Sequence, residues 1–187
     1  MKHFVIIISG IFIAAFLLIG IFYVGGAYIK MGDETLSTDV RVQDQKIQIK
    51  TSDGTWENFE VRGVNLGSSL PGEWATDYAI DKETYLRWFE QIQEMGANVI
   101  RVYAVQNPSF YQAFADFNSN EETPLYLLQG VWVNDYVQNS RMDAYGLQFR
   151  GRLMEDCKAT VDVVHGKRFL LSNTSNGSNG VFLTDVS

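Results

Sequence analysis

Seven side chains stand out by type and by position next to apolar runs: Asn65, Glu73, Trp74, Arg101, Tyr103, Trp132 and Asp135. Trp74, Tyr103 and Trp132 offer flat apolar faces of the kind on which the C–H face of a sugar ring stacks; the competing use of such rings is core or loop packing. Arg101 sits in the middle of VIRVY. A guanidinium there is costly to bury unless its donors meet carboxylates or other acceptors. In a ligand site it could hold a neighbouring carboxylate ionised; otherwise it serves a structural ion pair or reaches solvent. Glu73 and Asp135 are acids in polar loops, where most carboxylates are simply solvated. Asn65 ends an extended run, where its amide can brace the backbone or meet a ligand. Arg101 and Tyr103 are two apart on an extended run and therefore share a face.

The elements that must position these residues are legible from spacing. Residues 40–50 alternate apolar and polar, with a slip of phase near Asp44, and Ser52-Asp53-Gly54 is a turn signal. Together they predict a β-hairpin leading into a buried strand over residues 61–66. In DKETYLRWFEQIQEMG, Asp81 can cap a helix, Leu86, Phe89, Ile92 and Met95 form its stripe, and Gly96 can supply a left-handed end. ANVIRVYAV then reads as a strand buried on both faces, as parallel strands tend to be. Asn107-Pro108 opens a second helix with Phe110, Phe114 and Phe117 as its stripe. Pro124 precedes a third strand, LYLLQGVWV. Phe149, Leu153, Cys157, Val161 and Val164 mark a third helix. Strand–helix alternation of this kind predicts βαβ units around a parallel sheet, with chemistry at the C-terminal ends of the strands.

Composition removes several classes of function. The chain has 15 Lys/Arg against 22 Asp/Glu, a net charge of −7, and no cationic stripe, so nucleic acid is not expected as a partner. One cysteine, Cys157, excludes an internal disulfide framework and a multi-cysteine metal site. The two histidines, His3 and His165, are far apart, so neither metal nor cofactor is expected. Residues 4–29 carry no charge. The run exceeds the roughly 7–15 apolar residues of a secretory signal and matches the ~20 of a membrane-spanning helix, although Gly25 and Ala27 have the small side chains of a cleavage site. The reading is a transmembrane anchor over 1–30, a polar stalk over 31–39, an α/β domain over 40–168 and a flexible Ser/Asn/Gly-rich tail over 169–187.

VRGVNLGSSLPGEW followed by MGANVIRVYAVQNPSFYQAF resembles the glycoside hydrolases of the large retaining (β/α)₈ clan, which includes cellulases, mannanases and β-galactosidases. IRVYAV followed by a proline is similar to the β-1,3-glucanosyltransferases. The resemblance covers roughly residues 55–135. It implies an α/β fold in which the membrane helix and hairpin precede about three βα units of an incomplete TIM barrel. A whole barrel takes roughly 250 residues. The resemblance also implies a retaining mechanism with two carboxylates about 5–5.5 Å apart. In this clan those carboxylates follow the fourth and seventh strands, so neither falls on a residue of this chain, and no catalytic residue is assigned. Asn65 and Arg101 match supporting positions at the ends of the first two strands. The expected function is thus a single-pass, membrane-anchored extracytoplasmic protein of glycoside-hydrolase type that acts on or binds polysaccharide or oligosaccharide and is inactive by itself. The alternative is a non-catalytic saccharide-binding or scaffold module. Unpaired strand edges would favour self-association.

Overall fold

The computed structural model describes residues 8–17, 38–119, 123–133, 143 and 145–187. Residues 8–17 form a helix, α1. Among the described residues no helix is long and apolar enough to cross a membrane. The expected transmembrane helix over residues 4–29, and the single-pass extracytoplasmic placement read from it, are therefore not supported. Residues 4–7 and 18–29 of that run, and residues 31–37 of the expected stalk, lie outside the described residues.

The hairpin becomes a three-stranded antiparallel sheet: β1 (Val40–Gln43), β2 (Lys46–Lys50) and β3 (Trp56–Asn58), in that order. Asp44 and Gln45 both have positive φ, 50° and 62°. This is the signature of a two-residue turn whose twist matches the flanking strands, and it explains the slip of phase in the sequence. The second turn is closed by Asp53, whose Oδ1 accepts from the Thr55 amide at 3.0 Å and from the Thr51 hydroxyl at 2.6 Å. One face carries a row of side chains. Arg41 Nε donates to Gln48 Oε1, Gln48 Nε2 donates to Asn58 Oδ1, and the Arg41 guanidinium lies 4.2 Å over the Trp56 ring.

A second sheet is parallel: β4 (Gly63–Asn65), β5 (Val99–Val102) and β6 (Tyr126–Gln129), in that order. Two helices make its connections, α2 (Lys82–Glu94) and α3 (Pro108–Ser119). Asp81 caps α2 by accepting the Thr84 amide at 2.8 Å, and Gly96 takes φ +81° just past its end. Asn107 caps α3 by accepting from the Phe110 amide at 3.1 Å, while its Nδ2 donates to the carbonyls of Tyr78 and Ile80 and so ties down the loop before α2.

Both helices cover the same face of the sheet. Ile100 and Val102 point into one cluster with Tyr85, Phe89 and Ile92 of α2 and Phe110, Phe114 and Phe117 of α3. The rings meet mostly edge to face: Phe89 lies 5.7, 5.8 and 5.9 Å from Phe110, Phe114 and Phe117. Such pairs add to the burial of their area. Met95, expected in the α2 stripe, instead ends the helix and is exposed.

Burial of β5 on both faces is not what forms. Arg101 and Tyr103 are exposed, because both helices pack on the other side. Among the described residues, only the foot of this second face is covered. There Val99 is buried, and Phe59, just past β3, meets Tyr126 edge to face at 4.8 Å.

Nor does the chain continue as a partial barrel after β6. Helix α4 (Leu147–Val164) leads into an antiparallel pair, β7 (Arg168–Leu170) and β8 (Gly180–Phe182). Among the described residues the parallel sheet stays open at three strands beside two small antiparallel sheets, so the expected incomplete TIM barrel gives way to a mixed α/β arrangement. Residues 169–187, expected as a flexible tail, supply part of the core. Phe182 is 2% exposed and lies 5.7 Å from Tyr111, and Leu170 and Val186 pack on the same cluster. The segment is held by backbone as well: Val105 donates to the Asn176 carbonyl, and Ser178 donates to the Val105 carbonyl. Gly177 sits between them with φ +138°, where a Cβ would fall on the Val105 carbonyl. Only glycine fits there.

Candidate functional site

The open face of the parallel sheet brings together four of the seven candidates. Register puts Asn65 of β4, Arg101 of β5 and Leu128 of β6 in one row across the sheet. In a parallel ladder, side chains in one row share a face. Arg101 Nη1 donates to Asn65 Oδ1 in a long contact of 3.4 Å. Two residues on, Tyr103 lies under the same guanidinium, whose Cζ is 4.2 Å from the ring centroid. Tyr103 in turn meets Trp132 edge to face, with centroids 6.3 Å apart and planes at 78°. The result is a continuous strip, Asn65–Arg101–Tyr103–Trp132. Tyr103 is 39% and Trp132 42% exposed, so both rings present surface to solvent while resting on a neighbour.

The electrostatics of the strip differ from the sequence-based expectation. On a strand expected to be buried on both faces, Arg101 needs acceptors or an outlet to solvent; it is exposed and, among the described residues, forms no ion pair. Its charge is balanced instead by the Tyr103 ring and the Asn65 amide oxygen. Exposed cation–π contacts of this sort contribute about 0.5–1 kcal/mol. The arrangement fixes the ring and leaves guanidinium donors facing outward.

Glu73 and Trp74 do not join the strip. Leu70 to Glu73 form a turn with Pro71 and Gly72 at its centre, and Gly72 has φ +93°, as the third residue of a type II turn requires. The Glu73 amide donates to the Leu70 carbonyl at 3.0 Å, and Glu73 Oε2 accepts from the Leu70 amide at 3.2 Å. The Trp74 amide is held by Asp77 Oδ2 at 2.9 Å, and its ring is 80% exposed. Glu73 is thus committed to its own turn, while Trp74 projects from the loop that follows β4. Asp135 lies outside the described residues.

Two features of the site were not singled out from the sequence. Asn176 fixes the end of the strip: its Oδ1 accepts the Trp132 amide at 2.9 Å, and its Nδ2 donates to Thr160 Oγ1 at 3.0 Å. Asn176 is 3% exposed. Its only signal is one Asn among several in SNTSNGSNG, a composition that reads as loop. The second feature is a buried polar chain at the ends of β5 and β6. Tyr111 donates to Gln129 Oε1 at 2.8 Å and accepts from the Gln106 amide at 3.3 Å. Burial pushes the Tyr111 hydroxyl well above its ordinary value, so it stays protonated and acts as a donor.

Among the described residues no group of three His, Cys, Asp or Glu could hold a metal ion. The site is a surface of donors, one amide and two rings, able to hold a flat, hydroxyl-bearing ligand. Compared with family models, curated proteins and solved structures, the chain matches none.

Proposed function

We propose that this chain binds an oligosaccharide along the Asn65–Arg101–Tyr103–Trp132 strip. The observation that carries the reading is the contact chain itself: a guanidinium over one ring, that ring against a second, and both rings half exposed. Rings held this way cost little conformational entropy on binding. Hydroxyls of the ligand meet the Arg101 donors and the Asn65 amide, while the apolar face of a sugar ring rests on Trp132 or Tyr103. The resemblance of VRGVN and NVIRVY to saccharide-cleaving enzymes supports the same ligand class. Among the described residues Arg101 forms no ion pair with a carboxylate, and the proposal is confined to binding.

The test is titration with linear hexasaccharides of glucose and of mannose, followed by tryptophan fluorescence and calorimetry. At least one should bind, and Trp132→Ala should weaken it about tenfold or more, the scale of a stacked ring. Binding unchanged in both Trp132→Ala and Tyr103→Ala would sink the reading.

A further inference from the structure

Beside the strip, α4 and the segment after β7 enclose a cleft of about 260 Å³. It opens at the C-terminal end of the parallel sheet, where Val105 forms part of the wall together with Leu170 and Ala159. Its polar lining is Arg152, Glu155 and Asp156 of α4, with Arg168, Thr174 and Asn176 opposite. The cleft and the strip share one residue: Asn176 lines the first and holds the Trp132 amide of the second.

The charges of the lining select among ligand classes. Arg168 is engaged with Asp162, which is 1% exposed and accepts from Arg168 Nη1 at 3.2 Å. Asp156 uses its backbone carbonyl for Thr160 and Asn176. The side chains of Arg152, Glu155 and Asp156 form no ion pair or hydrogen bond with the described residues. Two guanidiniums therefore stand against two lining carboxylates and a third directly behind Arg168. An anion entering the cleft meets more negative than positive charge. A metal ion meets two guanidiniums and, among the described residues, no group of three carboxylate, thiol or imidazole ligands. A neutral polyol meets neither penalty, because each hydroxyl can donate to a carboxylate and accept from a guanidinium. Ala159, Leu170 and Val105 supply an apolar wall for its C–H groups. The volume is just below the 300–1,000 Å³ of pockets for drug-sized ligands, so it suits one ring rather than several.

We propose that this cleft is an end subsite for a single neutral sugar ring, reached from the strip past Asn176. The proposal takes its ligand class from the saccharide reading above. Burial raises Asp156 above the usual carboxylate range, with Arg152 pulling it back down, which fits a carboxylate sheltered by the cleft.

The experiment is an amide-shift titration of the full chain with glucose, galactose, mannose and inorganic phosphate, run alongside the hexasaccharides. At least one monosaccharide should move the Asp156, Ala159 and Asn176 amides in a saturable way. Arg152→Gln and Glu155→Gln, both at exposed positions, should each weaken that binding roughly fivefold, the worth of one hydrogen bond. Trp132→Ala should leave it unchanged while weakening the hexasaccharide. Hexasaccharide binding that depends on Trp132, with no monosaccharide shift in the cleft, overturns the subsite and leaves the strip. Monosaccharide shifts in the cleft with hexasaccharide binding indifferent to Trp132→Ala overturn the strip and leave the subsite. Shifts with phosphate and none with any sugar make the cleft an anion site and overturn the proposal. No binding by any of them overturns both.

Discussion

The two faces of the parallel sheet share three strands and almost nothing else. On one face Ile100 and Val102 vanish under a cluster of rings from α2 and α3. On the other, Arg101 and Tyr103 alternate with those same residues and stay exposed. Successive residues of a strand point to opposite sides, so VIRVY encodes both environments in five positions. The apolar set fixes where the helices dock. The polar and aromatic set is then left as a surface held rigid by a well-packed backbone. Stability should reside in one face and recognition in the other, and substitutions can separate them.

The largest effect is expected on the covered face. Phe89 is 0% exposed and touches three rings of α3. Phe89→Ala removes those contacts and leaves a cavity, which should cost about 3–5 kcal/mol in denaturant unfolding. Trp132→Ala and Tyr103→Ala should cost about 1 kcal/mol or less, the usual scale for surface positions with weak ring contacts. Equal losses in the two sets would erase the distinction between the faces.

The next effect tests what joins them. Gly177→Ala places a Cβ on the Val105 carbonyl at a φ that L residues rarely adopt. Strain of this kind costs about 1–3 kcal/mol. Because Asn176 is the neighbour that anchors Trp132, the variant should lose saccharide affinity along with stability. Affinity intact at reduced stability would show that the strip does not depend on the C-terminal segment.

A smaller effect belongs to the helix that lids the covered face. Asp81→Ala removes the acceptor of the Thr84 amide and should cost about 1 kcal/mol, with oligosaccharide binding unchanged. Chemical unfolding and the same titrations check both halves of that statement.

Local signals in the sequence carried the covered face well, and the open face only in part. Asp81, Gly96 and Asn107 act as the caps that their types suggest, because capping depends on a few consecutive residues. Phe110, Phe114 and Phe117 are buried as their spacing requires. The exposure of Arg101 stays open in the sequence because periodicity says which residues share a face but not which face a helix will cover. The Ser/Asn/Gly-rich C-terminal segment was misjudged for a related reason. Its order comes from long-range partners, Val105 for Gly177 and Tyr111 for Phe182, and no local pattern announces them. The membrane reading of residues 4–29 rests on hydropathy alone, whereas among the described residues no helix is long and apolar enough to cross a membrane.

The smallest effect is that of acid. At the foot of the open face, the antiparallel sheet that delivers Phe59 to Tyr126 is turned by Asp53. Hydrogen bonds from Thr51 and Thr55 lower the Asp53 carboxyl from 3.8 to about 2. The unfolded chain then takes up a proton at a higher pH than the native turn does. The stabilisation by this carboxylate is therefore complete above about pH 4 and is lost as pH falls through 2. Asp162, beside the covered core, is shifted the other way: desolvation raises it, with Arg168 opposing. Its native form takes up a proton more readily than the unfolded chain, so acid does not withdraw stability there. As pH falls from 4 the turn should loosen, and the α2 cap should weaken with it, because hydrogen bonds from Thr84 also lower the Asp81 carboxyl. The Thr55 amide, which donates to Asp53 at 3.0 Å, is the reporter. Its resonance should titrate with a midpoint near 2 and become flat in Asp53→Asn. A midpoint at the ordinary carboxylate value would mean that the hydrogen bonds of this turn do not hold Asp53 ionised in solution.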